Sequence, residues 1–75
     1  MLKERYDEFK ELLKASNNHI IHQYGYGFLN LYEIKSVENT KDYHCFAKTL
    51  DGEKLFICDY SMKGNVLYVS VSENY

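Results

Sequence analysis

One dipeptide constrains this chain more than any other: Asp51-Gly52, set between two strand-like runs at 43–49 and 54–60. Asp-Gly in that setting predicts a two-residue hairpin loop of type I′, because both central residues of that turn need positive φ and these two residue types supply it. The turn then fixes the register. Leu50 opposes Glu53, Lys48 opposes Leu55, Phe46 opposes Ile57, Cys45 opposes Cys58, and Tyr43 opposes Tyr60.

The next hairpin carries Gly64 near its end. A three-residue loop Met62-Lys63-Gly64, with Gly64 left-handed, puts Asp59 opposite Leu67, Ile57 opposite Val69 and Leu55 opposite Val71. The two registers agree on one apolar face of Phe46, Leu55, Ile57, Leu67, Val69 and Val71, expected to form the core. The other face collects Tyr43, Cys45, Phe56, Cys58, Tyr60, Val66, Tyr68 and Ser70. It is aromatic and almost uncharged. Either the sheet curls over it or it meets a partner.

Upstream, residues 1–16 read as an amphipathic helix. Leu2, Tyr6, Phe9, Leu12 and Leu13 recur at three- and four-residue steps and share one stripe. Asp7 with Lys10, and Glu11 with Lys14, are spaced to meet on the solvent side. Ser16-Asn17-Asn18 ends the helix, since these side chains compete for backbone groups and Asn tolerates a left-handed cap. Strands follow at His19–Tyr24, 28–37, 43–49, 54–60 and 66–72, rich in β-branched and aromatic residues. The expected fold is α+β in the order α-β-β-β-β-β: one domain over residues 1–75, its N-terminal helix packed on a mostly antiparallel sheet of four to five strands. A strongly bent sheet tending towards a small open barrel is the variant.

Such a chain has a small core, with net stability of about 3–5 kcal/mol unless subunits associate. Eight tyrosines with no tryptophan and no proline are its compositional signature. Tyrosine joins a large apolar ring to a polar tip and is enriched at interfaces. A net charge of −2 disfavours non-specific attraction to phosphate backbones. The helical segment is neutral, and the rest of the chain holds seven acids against five lysines. There is no apolar run of bilayer length and no signal-like leader, so the expected setting is the cytoplasm, with both cysteines as thiols.

No constellation of catalytic residues emerges. Cys45 and Cys58 are expected to lie close enough to cross-link, but no further ligands complete a metal site around them. His19 and His22 are three apart, which on a strand puts them on opposite faces. His44 and Asp59 oppose one another in the expected register, with no nucleophile beside them. Gly25-Tyr26-Gly27 is not followed by a helix and lacks a nearby lysine, so it reads as a turn and not a phosphate loop. No enzyme activity, cofactor or metal is expected.

The functional expectation is a protein-binding module that acts by steric occlusion. Its anchors would be Tyr24, Tyr26, Tyr43, Phe56, Tyr60 and Tyr68, with a rim of Asp and Glu set against a basic site on the partner. In size and composition the chain is similar to small phage or mobile-element inhibitors of host defence complexes, of the anti-CRISPR or anti-restriction kind. Two alternatives stand beside it. One is a single-stranded nucleic-acid binder whose sheet aromatics stack on bases, against which Lys48, Lys54 and Lys63 are balanced by Asp51, Glu53 and Asp59. The other is a structural subunit that closes a homodimer through the same face.

Overall fold

The computed structural model describes residues 2–24 and 28–72. A single helix, α1 (Lys3–Ala15), precedes five strands: β1 (His19–Tyr24), β2 (Phe28–Asn39), β3 (Cys45–Thr49), β4 (Lys54–Lys63) and β5 (Val66–Val71). The α+β expectation and the element order hold. β1 keeps its expected bounds, whereas β2 and β4 run on by two and three residues.

The helix ends as its sequence predicts. The amide of Asn18 donates to Leu13 O at 2.8 Å and that of Asn17 to Lys14 O at 3.0 Å, the paired bonds of a Schellman motif. Asn17 and Asn18 both take φ of 62°, which asparagine tolerates better than most residues. On the solvent side Asp7 meets Lys10 at 3.7 Å and Glu11 meets Lys14 at 3.9 Å, with Lys3 joining Asp7 at 3.2 Å. Phe9 and Leu13 are buried, Tyr6 and Leu12 half-buried, and Leu2 is exposed.

Consecutive strands pair antiparallel, and β1 closes onto β5. In an up-and-down run of five strands the first and last point the same way, so the closing pair must be parallel. It is, with Ile21 beside Tyr68 and His22 beside Val69. The sheet is thus a ring of hydrogen bonds whose two edges satisfy each other.

Both hairpin registers differ from expectation. β3 and β4 meet as Cys45 with Ile57, Phe46 with Phe56, Ala47 with Leu55 and Lys48 with Lys54, one residue away from the type I′ alignment. The turn is the reason. Gly52 has φ of +88° while Asp51 stays out of the left-handed region. The Gly52 amide donates to Thr49 O at 3.0 Å, and the Thr49 amide to Glu53 O at 2.9 Å. This is a three-residue loop, Leu50-Asp51-Gly52, built on a type I turn followed by a left-handed glycine. The Thr49 hydroxyl secures it by accepting the Glu53 amide at 3.0 Å. In the β4–β5 hairpin Lys63 pairs with Val66, leaving a two-residue loop, Gly64-Asn65. Only Gly64 has positive φ there (+62°), as a type II′ turn requires of its first position.

A one-residue slip moves side chains to the other face. Cys45 and Ala47 therefore enter the core, opposite Ile57 and Leu55, while Phe46 takes the other face against Phe56, where it is still buried as expected. The expected pairs Cys45–Cys58 and Tyr43–Tyr60 do not form: Cys45 is buried and Cys58 exposed. Tyr43 lies outside β3, in the 40–44 turn, with φ of 62°. Asp59 is opposed by Ser70 and ion-paired to Arg5, so the expected His44–Asp59 pair is also absent.

Two β-bulges bend the sheet. Lys35 is the extra residue of β2 between Ile34 and Ser36, and Cys58 that of β4 between Ile57 and Asp59. A bulge increases local twist and switches the inward parity of the residues beyond it. The switch at Cys58 turns Tyr60 inward beside Val69. There its ring packs on Phe9, with centroids 5.4 Å apart. The resulting core is Phe9, Leu13, Ile20, Ile34, Cys45, Ala47, Leu55, Ile57, Leu67 and Val69. Val71, expected inside, is half-buried against it.

Candidate functional site

The helix packs across one end of the ring. The Tyr6 hydroxyl donates to Val37 O at 3.0 Å near the end of β2. The Tyr60 hydroxyl, late in β4, donates to Glu8 Oε1 at 2.7 Å, with Arg5 O also within reach at 3.1 Å. Arg5 lies over the Tyr60 ring, 4.9 Å from its centroid, and bonds Asp59. Burial raises the Tyr60 phenol above its ordinary value, helped by the Glu8 hydrogen bond. The hydrogen bond from Arg5 holds Asp59 below the usual carboxylate range. Tyr60, one of the expected anchors, is thus engaged in fastening helix to sheet.

The opposite end of the ring is an open depression of about 440 Å³. Its lining includes His22, Asn30, Tyr32 and Ser72 among polar groups and Leu55, Phe56 and Val71 among apolar ones. Asn30 Nδ2 donates to the Tyr32 hydroxyl at 3.2 Å. As the strand alternation predicts, His19 is on the other face, with its Nε2 3.8 Å from Glu33 Oε1.

The remaining anchors divide. Tyr24 ends β1, with its side chain outside the described set, and Tyr26 lies outside the described residues. Tyr43 is 53% exposed at its turn. Phe56 is half-buried and meets Phe46 edge-on at 4.5 Å. Tyr68 is half-buried on the outer face, with Lys63 Nζ 5.6 Å from its ring centroid. Among the described anchors, Tyr43, Phe56, Tyr60 and Tyr68 are not gathered into one patch.

The structure gathers different residues. On the outer face of β2, β1 and β5, Leu31 pairs with Ile21 and Ile21 with Tyr68, forming one apolar row across three strands. Leu29 extends it along β2, and Val66 along β5. Leu29 is 56% exposed and Leu31 67%. A single exposed leucine is ordinary, but two on one strand face, continuous with Ile21 and Tyr68, make a coherent surface. Sequence reasoning missed this row. The signal was there in Leu29-Asn30-Leu31-Tyr32-Glu33-Ile34, whose alternation fits either parity; the pairing of Ile20 with Tyr32 inside the ring decides it.

The thiols sit in contrasting settings. Burial pushes Cys45 from the ordinary 9.0 up to about 11, while Cys58 is exposed on its bulge. Among the described residues no group of three or more His, Cys, Asp or Glu is placed to hold a metal ion, and no helix is long and apolar enough to cross a membrane. No protein-family model, curated protein or solved structure matches the chain.

Proposed function

We propose that this chain is a non-enzymatic protein-binding module that works in the cytoplasm by occupying a partner's surface, with the outer face of β2, β1 and β5 as its contact. The observation that carries this reading is the apolar row Leu31–Ile21–Tyr68, flanked by Leu29 and Val66. Burying exposed leucine against a partner gains about 25 cal/mol per Å² of apolar area, with no change of fold required. The ring supports the face rigidly, since every strand in it is paired on both sides. Glu33, two residues along β2 from Leu31, lies at the margin of this face and supplies an acidic group to a rim.

A module of this size acts by excluding whatever else would bind the same surface. Its size and composition suit an inhibitor of a larger complex, the phage or mobile-element role raised by the sequence. Tagged chain would be used to capture proteins from a nuclease-treated lysate of the producing organism, wild type beside Leu29→Ser/Leu31→Ser. A stoichiometric protein retained by the wild type and lost by the double variant is the expected result. Equal capture by both would remove this face from the account. The homodimer reading predicts instead that sedimentation of the purified wild type gives a dimer that the same double variant dissolves.

A further inference from the structure

The outer face of β3 and β4, well away from the leucine row, carries a second arrangement that protein binding does not use. Phe46 pairs with Phe56, and one step along the hairpin Lys48 pairs with Lys54. All four lie on the face opposite Cys45, Ala47, Leu55 and Ile57, with both lysines exposed, Phe56 half-buried and Phe46 buried beneath Lys54. Directly opposed residues on one face have Cβ atoms about 5 Å apart, and like charges set so are destabilising. Neither lysine is within ion-pair distance of a described carboxylate, whereas Lys3, Arg5, Lys10 and Lys14 on the helix all are. Lys54 Nζ instead lies over the Phe46 ring, 4.3 Å from its centroid.

The pair thus presents two cations beside a depression of about 230 Å³ that Ser36, Glu38, Phe46 and Gly52 also line. Glu38, opposite Phe46, lies two residues along β2 from Ser36, the partner of Lys48, and shares the lining with both lysines. No described carboxylate forms an ion pair with either lysine: Asp59 is taken by Arg5, Glu38 lines this depression with both lysines, and Glu53 lines the mouth of the ring beside Lys54. We propose that this tile binds single-stranded nucleic acid, with a phosphate between Lys48 and Lys54 and the attached base stacked on Phe56. The lysine and phenylalanine pairs are two residues apart along each strand, about 6.8 Å. A nucleotide unit carries an anionic diester and a flat π-face at about that separation, and repeats them. An acidic peptide segment offers the charge without the flat ring. Aromatic platforms beside cations are how sequence-tolerant single-strand binders work.

The test is fluorescence anisotropy with a labelled oligothymidylate ten-mer, titrated with the full chain at several salt concentrations. Neutralising that one phosphate of a single strand predicts a slope of log K against log salt of about −0.7. Lys48→Glu/Lys54→Glu is expected to abolish binding, and the milder Lys48→Gln/Lys54→Gln to flatten the slope. Phe56→Ala is expected to weaken binding by about 5- to 150-fold, the loss of one stacked base. Both lysine variants change only outward side chains, and circular dichroism verifies that each remains folded. Leu29→Ser/Leu31→Ser is expected to bind the oligonucleotide as the wild type does, which keeps this site independent of the protein-binding face. No binding at millimolar chain, or binding unchanged in a folded Lys48→Glu/Lys54→Glu variant, overturns the proposal. So does tighter binding of an oligoglutamate peptide than of the oligonucleotide, with the same lysine dependence.

Discussion

The β3–β4 register can be read out through its two thiols. In the type I′ alignment Cys45 and Cys58 would face each other; in the structure Cys45 is 2% exposed in the core and Cys58 lies outside. Cys58→Ser leaves Cys45 as the sole thiol. A buried thiol reacts only when the chain opens, so its labelling is slowed by the equilibrium constant for opening. For a core of this size, with stability of about 3–5 kcal/mol, global opening alone gives a factor of roughly 150 to 4,000 relative to the unfolded chain. Cys45→Ser, which keeps Cys58, is expected to label within about tenfold of the unfolded rate, provided the variant is folded. The assay is alkylation by iodoacetamide followed by intact mass, with and without denaturant. If Cys45 in the folded Cys58→Ser chain labels as fast as in denaturant, or if mild oxidation of the wild type closes an intramolecular disulfide, the pairing of Cys45 with Ile57 is wrong.

Three further outcomes rest on the same geometry. Gly52→Ala places a side chain at φ of +88° with open space around it, so its cost is conformational, about 1–2 kcal/mol in urea unfolding; a neutral change would mean the loop does not need the left-handed glycine. Tyr43→Asn eases a left-handed tyrosine and is expected to stabilise by about 0.5–1 kcal/mol in the same assay, with a loss refuting the strain. Stability should also fall with alkalinity. The raised pKa values of Cys45, Tyr6 and Tyr60 mean that their contributions are complete below the unfolded values of 9.0 and 10.0, then lost as pH rises through the folded ones. Cys45→Ala should flatten the part of that fall between pH 9 and about 11, and an unaltered profile would contradict the burial of its thiol. At the acid end the lowered pKa of Asp59 acts in reverse, its contribution present above 3.8 and lost as pH falls through the folded value.

The helix and the strand order were legible because they rest on local chemistry. A three- and four-residue stripe, two Asp/Glu–Lys spacings and a Ser-Asn-Asn stop specify α1 almost completely. The registers were not legible. Asp51-Gly52 suits a type I′ loop and equally a type I turn with a left-handed glycine, and these differ by one residue in alignment. Thr49 tips the balance through its hydroxyl, a contact that propensity does not encode. Nor does the sequence announce the extra residues Lys35 and Cys58, which look like ordinary strand positions yet reset the parity of Val37 and Tyr60. One slip and two bulges were enough to disperse the expected tyrosine face. They turned Cys45 and Tyr60 inward and removed Tyr43 from the sheet, while Leu29 and Leu31 stand exposed, as do Leu2, Leu50 and Val66. Closure of the ring was only hinted at, since it depends on the sum of bends over all five strands.

The central claim is that the outer face of β2, β1 and β5 meets a protein partner. Site-specific photo-cross-linking tests it most directly, with a benzophenone side chain placed in turn at Leu31, Tyr68, Lys14 and Lys41, and irradiation in the producing cells. The account predicts one adduct of common mass from positions 31 and 68 and none from 14 or 41, on the helix and the β2–β3 turn. Adducts from 14 or 41 with none from 31 would place the contact elsewhere and contradict it.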